Sequence, residues 1–362
     1  MTASDVLLDR QTALKRFVFG ALIFLVIAIA GLLIVKWVPY WNKAHVAAAT
    51  HAIGNSIISG KSVQPQSVGL AAAWQYALAY FKSVWQAVVL ALLLGASIQV
   101  FVPRSWLMKA IGSAGAKSAT IAGAASMAGM MCTCCAAPIV VGLRRQRASM
   151  GSALAFLLGN PVLNPATLIF MGFVLGWGFA GIRFVFGLAL IAVVAWIANR
   201  TTDAQAQGSV HVFEPAPIED PQKTPAGIAA AWFKELWVDI YTLLPGYVAI
   251  VLLLGGLRAW LFPPGLTVHA SGAGAVLLLS AIGTAFVIPT AGEIPVAQTL
   301  MHAGMGPGPA TALVMTLPAI SLPSLFIVRK VFPLRLLAIV FGCVFATGVF
   351  AGLVAMFAFG AR

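Results

Sequence analysis

The chain has 362 residues, of which 61% are hydrophobic and only 9% charged, and its net charge is +13. Soluble domains carry about 25% charged residues, so a soluble fold is excluded: too little charge is present to cover its surface. The basic excess belongs to no soluble basic domain, which excludes a nucleic-acid-binding module and fits Lys and Arg at the cytoplasmic ends of membrane helices.

Apolar runs of the length that crosses a hydrocarbon core predict helices near residues 17–38, 74–102, 118–143, 149–172, 174–198, 240–262, 271–303, 309–328 and 334–358. The short alternating strands of an outer-membrane barrel are absent. The first run, Phe17 to Val35, follows Arg10, Lys15 and Arg16 and is long for a signal-peptide core. It reads as a retained helix with the N-terminus in the cytoplasm. Residues 39–70 read as a polar loop with His45, Asn55 and Lys61. Residues 199–238 read as a cytoplasmic linker, with Pro215, Pro217, Pro221 and Pro225 beside Glu214, Glu219 and Asp220.

The linker divides two similar halves. Leu92-Leu93-Leu94-Gly95 and Pro103 recur as Leu252-Leu253-Leu254-Gly255 and Pro263. Pro138, Leu143, Gly151, Ala153, Ala155 and Pro161 recur at a constant offset as Pro295, Leu300, Gly308, Ala310, Ala312 and Pro318. Internal repeats around a central site are a common transporter plan. Charge sets the direction. Arg104, Lys109 and Lys117 precede the second apolar run of the first repeat, and Arg144, Arg145 and Arg147 follow it. Both ends then lie in the cytoplasm, and the run is a re-entrant hairpin. The matching stretch 263–328 holds no Lys or Arg and suits a hairpin entering from outside. The expected fold is an all-α polytopic membrane protein: two inverted repeats with re-entrant helical hairpins and broken helices, preceded by one extra N-terminal helix. Its expected divisions are 1–73, the N-terminal helix and outer loop; 74–198, the first repeat; 199–238, the linker; and 239–362, the second repeat.

Three features carry chemistry. Cys132-Thr133-Cys134-Cys135 stands at the expected first tip. Thiolates select soft ions such as Cu(I), Zn(II) or trivalent arsenic-type centres, and three of the four cysteines within four positions outweigh the ordinary role of a lone buried Cys as a small apolar residue. Cys132, Cys134 and Cys135 are therefore the expected substrate and metal ligands. The cluster is read through its C-x-C pair and not as a C-x-x-C dithiol. Glu293 is an acidic residue inside an apolar run, where a carboxylate costs about 2.5–3.5 kcal/mol on insertion scales and marks a pathway or proton relay. The repeat aligns it with Ala136, at the opposite tip, so Glu293, Thr290 and nearby His302 are expected to couple protons or gate. The third feature is Gly159-Asn160-Pro161-Val162-Leu163-Asn164-Pro165, with its counterpart Leu317-Pro318-Ala319-Ile320-Ser321-Leu322-Pro323. Paired prolines break each helix and free carbonyls, and Asn160 and Asn164 are expected to meet substrate.

These residues resemble a family of predicted permeases that includes the trivalent organoarsenical efflux permeases. Cys132, Cys134 and Pro138 match its Cys-Ser-Cys-Gly-x-x-Pro motif, Thr133 replaces Ser, and Cys135 stands where Gly is usual. The resemblance spans about 75–358 and implies a permease fold and methylarsenite-type efflux. The resulting expectation is a permease of the bacterial inner membrane, not an enzyme and without a cofactor. It moves a small inorganic or organometalloid substrate that seeks thiols. Its other partners are membrane lipids, with a homodimer allowed. No nucleotide-binding Gly-x-x-x-x-Gly-Lys-Ser/Thr loop is present, which fits proton-coupled efflux. Two alternatives stay open: uptake of a sulfur-containing anion such as thiosulfate, and a membrane thiol oxidoreductase or metal-insertion factor.

Overall fold

The computed structural model describes residues 20–58, 68–102, 104–202, 225–263 and 270–360. The element order is α1 (Gly20–Thr50), α2 (Leu70–Phe101), α3 (Arg104–Ile111), α4 (Ala116–Met127), α5 (Thr133–Arg145), α6 (Met150–Val162), α7 (Pro165–Val174) and α8 (Trp177–Thr202), then α9 (Pro225–Leu261), α10 (Gly272–Ala285), α11 (Glu293–His302), α12 (Pro307–Ala319), α13 (Leu322–Val328) and α14 (Leu334–Phe359). Among the described residues there is no strand, and seven helices or broken helices are long and apolar enough to cross a membrane. Ile34, Val185 and Phe357 are exposed on the outside, an apolar exterior that suits lipid. The chain is a polytopic helical membrane protein.

The order of elements repeats. A long helix (α2, α9) is followed by a helical hairpin (α4–α5, α10–α11), a helix broken at its middle (α6–α7, α12–α13) and a closing helix (α8, α14). The hairpin legs run 10 to 14 residues, short of the roughly 20 that a crossing needs. Equivalent helices run antiparallel. Tyr80, early in α2, meets Tyr247, late in α9, with hydroxyls 2.8 Å apart, whereas Ser97, late in α2, accepts from early Trp232 at 3.0 Å. Phe179, at the start of α8, stacks on Phe359, at the end of α14. An inverted repeat demands this arrangement.

The breaks follow from the prolines. Pro165 has no N–H for the carbonyl of Pro161, and the chain turns out of the helix at Leu163 and Asn164. The Asn164 side chain then caps α7, accepting from Ala166 N at 3.1 Å and Thr167 N at 3.3 Å, as Asn does at helix starts. Ser321 holds the equivalent position and caps α13 through a capping box with Ser324.

Two expectations on loops are corrected. Residues 39–50 are helix rather than polar loop. Pro39 leaves the carbonyl of Val35 without its i+4 donor, and the helix accommodates it through a π-turn over Leu33–Trp37, then continues along the Ala-rich stretch to Thr50. Residues 225–238, read as linker, are the first turns of α9. At 1.5 Å per residue the 37-residue α9 is about 55 Å long, longer than a bilayer core, so its first turns carry polar residues without leaving the helix. The linker prolines 215, 217 and 221 and Lys61 lie outside the described residues.

Candidate functional site

The first hairpin turns at residues 128–132. Trp37 Nε1 of α1 donates to Ala128 O at 2.8 Å, and Met131 N donates to Asn160 Oδ1 at 3.3 Å. A Cβ on Gly129 would come within 2.5 Å of that same oxygen, so glycine lets α6 hold the tip this closely. Asn160 is thus a clamp on the tip loop. Cys132 stands at the N-cap position of α5 without a side-chain capping bond, and Thr133, Cys134 and Cys135 form its first turn.

The buried cysteines lie together. Cys132 Sγ and Cys135 Sγ are 3.1 Å apart, and Cys132 is also within side-chain hydrogen-bonding reach of Cys134. Cys134 Sγ in turn is 3.2 Å from Ser321 Oγ of the opposite repeat and against the Tyr80 side chain. One expectation, on spacing, is corrected here. Among the described residues no group of three or more His, Cys, Asp or Glu side chains is placed to hold a metal ion. The close pair is also the one at C-x-x-C spacing. One helical turn brings positions i and i+3 together. Cys343 sits apart on α14.

The second hairpin turns at residues 286–292, where the Tyr76 hydroxyl donates to Val287 O. Tyr76 stacks on Tyr80, so one face of α2 supports both tips. Thr290 is half-buried in the turn, and Glu293, fully buried, opens α11. Glu293 is not a free carboxylate. Arg183 of α8, only 1% exposed, donates from Nη1 to Glu293 Oε1 at 2.6 Å. The same guanidinium donates from Nε to Val162 O at 3.1 Å and from Nη2 to Pro161 O at 2.6 Å. These are the two carbonyls freed at the break, one because residue 165 is proline and one because Ala166 N bonds Asn164 instead. Arg183 therefore ties the second tip to the broken helix of the first repeat, as Cys134 and Ser321 tie the first tip to the second. Glu293 Oε2, Asn164 Nδ2 and Thr167 Oγ1 stay buried without hydrogen-bond partners.

Helix α1 covers the tips. Lys36 in its π-turn is only 5% exposed, has Nζ 3.3 Å from Tyr40 Oη, and lies within electrostatic reach of Cys132 and Cys135. Half-buried Lys43 lies within reach of Glu293. Tyr40 packs edge-on against Phe170 of α7. Beside the first tip, an apolar cavity of about 280 Å³ is lined by α1 to α6, including Leu32, Leu94, Leu107, Met131, Ile139 and Asn160. The hairpin base is pinned by Arg145, which donates to Gln99 Oε1 at 2.9 Å and Asp239 Oδ1 at 3.0 Å.

The structure thus brings Cys132, Cys134, Cys135, Asn160, Asn164, Thr290 and Glu293 to the tips and breaks. His302 is exposed at the far end of α11 and is not brought to them. Sequence reasoning passed over Arg183 and Lys36. Arg183 had a signal, since it is the one charged residue inside the run 174–198.

Residues 114–357 match the model of a family described as a predicted permease. Over 338 residues the chain is 47% identical to the UPF0718 protein YraQ of Escherichia coli (strain K12), covering 92% of this chain and 93% of that protein. Over 306 residues it is 23% identical to the UPF0718 protein MJ0584 of Methanocaldococcus jannaschii, covering 68% of this chain and 84% of that protein. No solved structure matches the chain.

Proposed function

The chain belongs to the predicted-permease family and is a membrane transporter, and from that premise we propose that it carries a soft, thiol-seeking solute captured by Cys132 and Cys135. The observation that carries this reading is the buried pair of thiols 3.1 Å apart at a hairpin tip. Two thiolates at one point suit a trivalent metalloid centre such as an organoarsenical, which takes soft ligands. The protein sits in the bacterial inner membrane with its N-terminus in the cytoplasm, and transport is efflux coupled to protons. Glu293 and Arg183 form the gate: a proton taken by Glu293 weakens its hold on Arg183 and frees the second tip from the broken helix. Glu293→Gln is expected to permit exchange of cargo but to abolish accumulation against a gradient.

The cargo class is tested by growth inhibition with metals, metalloids and organoarsenicals in cells with and without the gene. Tolerance to a soft species is expected to depend on the gene, and a flat response across all soft species would sink the reading. Topology tags near residues 145 and 305 are expected on opposite sides of the membrane; the same side for both would refute the inversion.

Uptake of a sulfur-containing anion is a second reading, favoured by buried Lys36 beside the thiols. The C-x-x-C spacing of Cys132 and Cys135 keeps a thiol oxidoreductase in view. That activity requires a reversible disulfide between them and no net flux, so maleimide trapping before and after oxidation separates it from transport.

A further inference from the structure

Lys36 is a buried cation with no carboxylate of its own. It makes a hydrogen bond to the neutral phenol of Tyr40 and takes part in none of the ion pairs among the described residues, where Glu293 is held by Arg183 and Asp239 by Arg145. Burying an ammonium without a counter-charge is costly. A second ammonium, Lys43, lies seven residues on, about 10.5 Å along the same face of α1. The first turn of α5 adds the positive end of a helix dipole and amide N–H groups at residues 133–135. The cysteine pair therefore stands in a positive field, which Cys132 can answer by giving up its proton. While the thiols stay protonated, no anion among the described residues pairs with Lys36, and a bound anion would balance it.

We propose that Lys36 and the first turn of α5 form an anion-binding subsite beside Cys132 and Cys135, and that the cargo is a soft anion. Its negatively charged oxygens lie on Lys36 and the α5 amides, and its sulfur or other soft atom lies against the thiols, which act as weak S–H donors. The subsite rests on reading the cysteine pair as the cargo site and, of the two cargoes named above, selects the sulfur-containing anion over the organoarsenical. The π-turn makes it. Lys36 lies within this turn and is buried, whereas its neighbours Ile34 and Val38 are exposed. Lys36 also lies outside the stretch that matches the permease family.

The probe is radiolabelled thiosulfate, a dianion with one terminal sulfur, and the assay is equilibrium binding to the detergent-purified full chain. Wild type is expected to bind it saturably, with sulfate at least about tenfold weaker for want of the soft atom. Lys36→Met is expected to weaken binding at least about tenfold, the value of one charged hydrogen bond. Lys36→Arg, which keeps the charge, should stay within about threefold. Lys36→Gln serves if the Met variant does not purify as a single species. No binding to wild type, or equal binding to the charge-free variants, overturns the subsite and leaves the thiol reading standing. Lys36-dependent binding that is indifferent to Cys132→Ala and Cys135→Ala supports the subsite and sinks the thiol reading.

Discussion

The two hairpin tips occupy equivalent places in the repeat and carry opposite chemistry. The first presents thiols, with the ammonium of Lys36 within electrostatic reach. The second presents a carboxylate, and Arg183 neutralises it on the spot. Each tip also touches the broken helix of the other repeat, through Cys134 and Ser321 in one case and through Glu293 and Arg183 in the other. On the reading proposed above, a duplicated backbone device is divided into a tip that binds and a tip that locks. Among the described residues only the second tip is closed by a buried ion pair, so the two should respond very differently to mutation.

The largest effect is expected at the lock. Arg183→Ala leaves Glu293 buried and unpaired and should cost about 3–5 kcal/mol in the unfolding of the detergent-solubilised protein. The double variant Arg183→Met with Glu293→Met should be more stable than Arg183→Ala. If the double is no better, the ion pair is not what holds the second tip. The binding tip depends on close backbone packing instead. A Cβ on Gly142 would come 2.9 Å from Gly95 O, so Gly142→Ala should force α5 off α2 and cost about 1–3 kcal/mol. Asp239→Asn weakens the anchor of Arg145 at the base of the same hairpin and should cost about 1.5 kcal/mol. His302→Ala, exposed and remote from both tips, should change stability by less than about 0.5 kcal/mol and leave transport untouched. A transport defect in His302→Ala would reopen its role in the lock.

The two tips were also unequally legible in the sequence. Cysteines in an apolar run and an isolated Glu293 stand out by type, and the arginines around the first hairpin mark its ends. Paired prolines announced both breaks, and the constant offset placed Asn164 opposite Ser321 before any coordinates. What was lost is what depends on rotation about a helix axis. Adjacent cysteines look like one cluster on paper, but the first turn of α5 also sets Cys134 against Ser321 of the other repeat. Lys36 ends an apolar run, where a lysine ordinarily reaches for the interface, and only the π-turn that absorbs Pro39 turns it inward. Arg183 is as isolated among apolar residues as Glu293, yet its partner is distant in sequence and no local pattern joins them. Lys234 and Glu235 read as linker because their density is that of a loop. In the structure Glu235 and Asp239 are the end of α9 that receives Arg145.

The most direct test of the account places the double variant Cys132→Ser, Cys135→Ser and the single variant Cys134→Ser beside wild type in the growth-inhibition panel, at matched abundance in the membrane. The account predicts that gene-dependent tolerance to the soft species is lost in the double variant and kept in Cys134→Ser. A double variant that protects as well as wild type would contradict it.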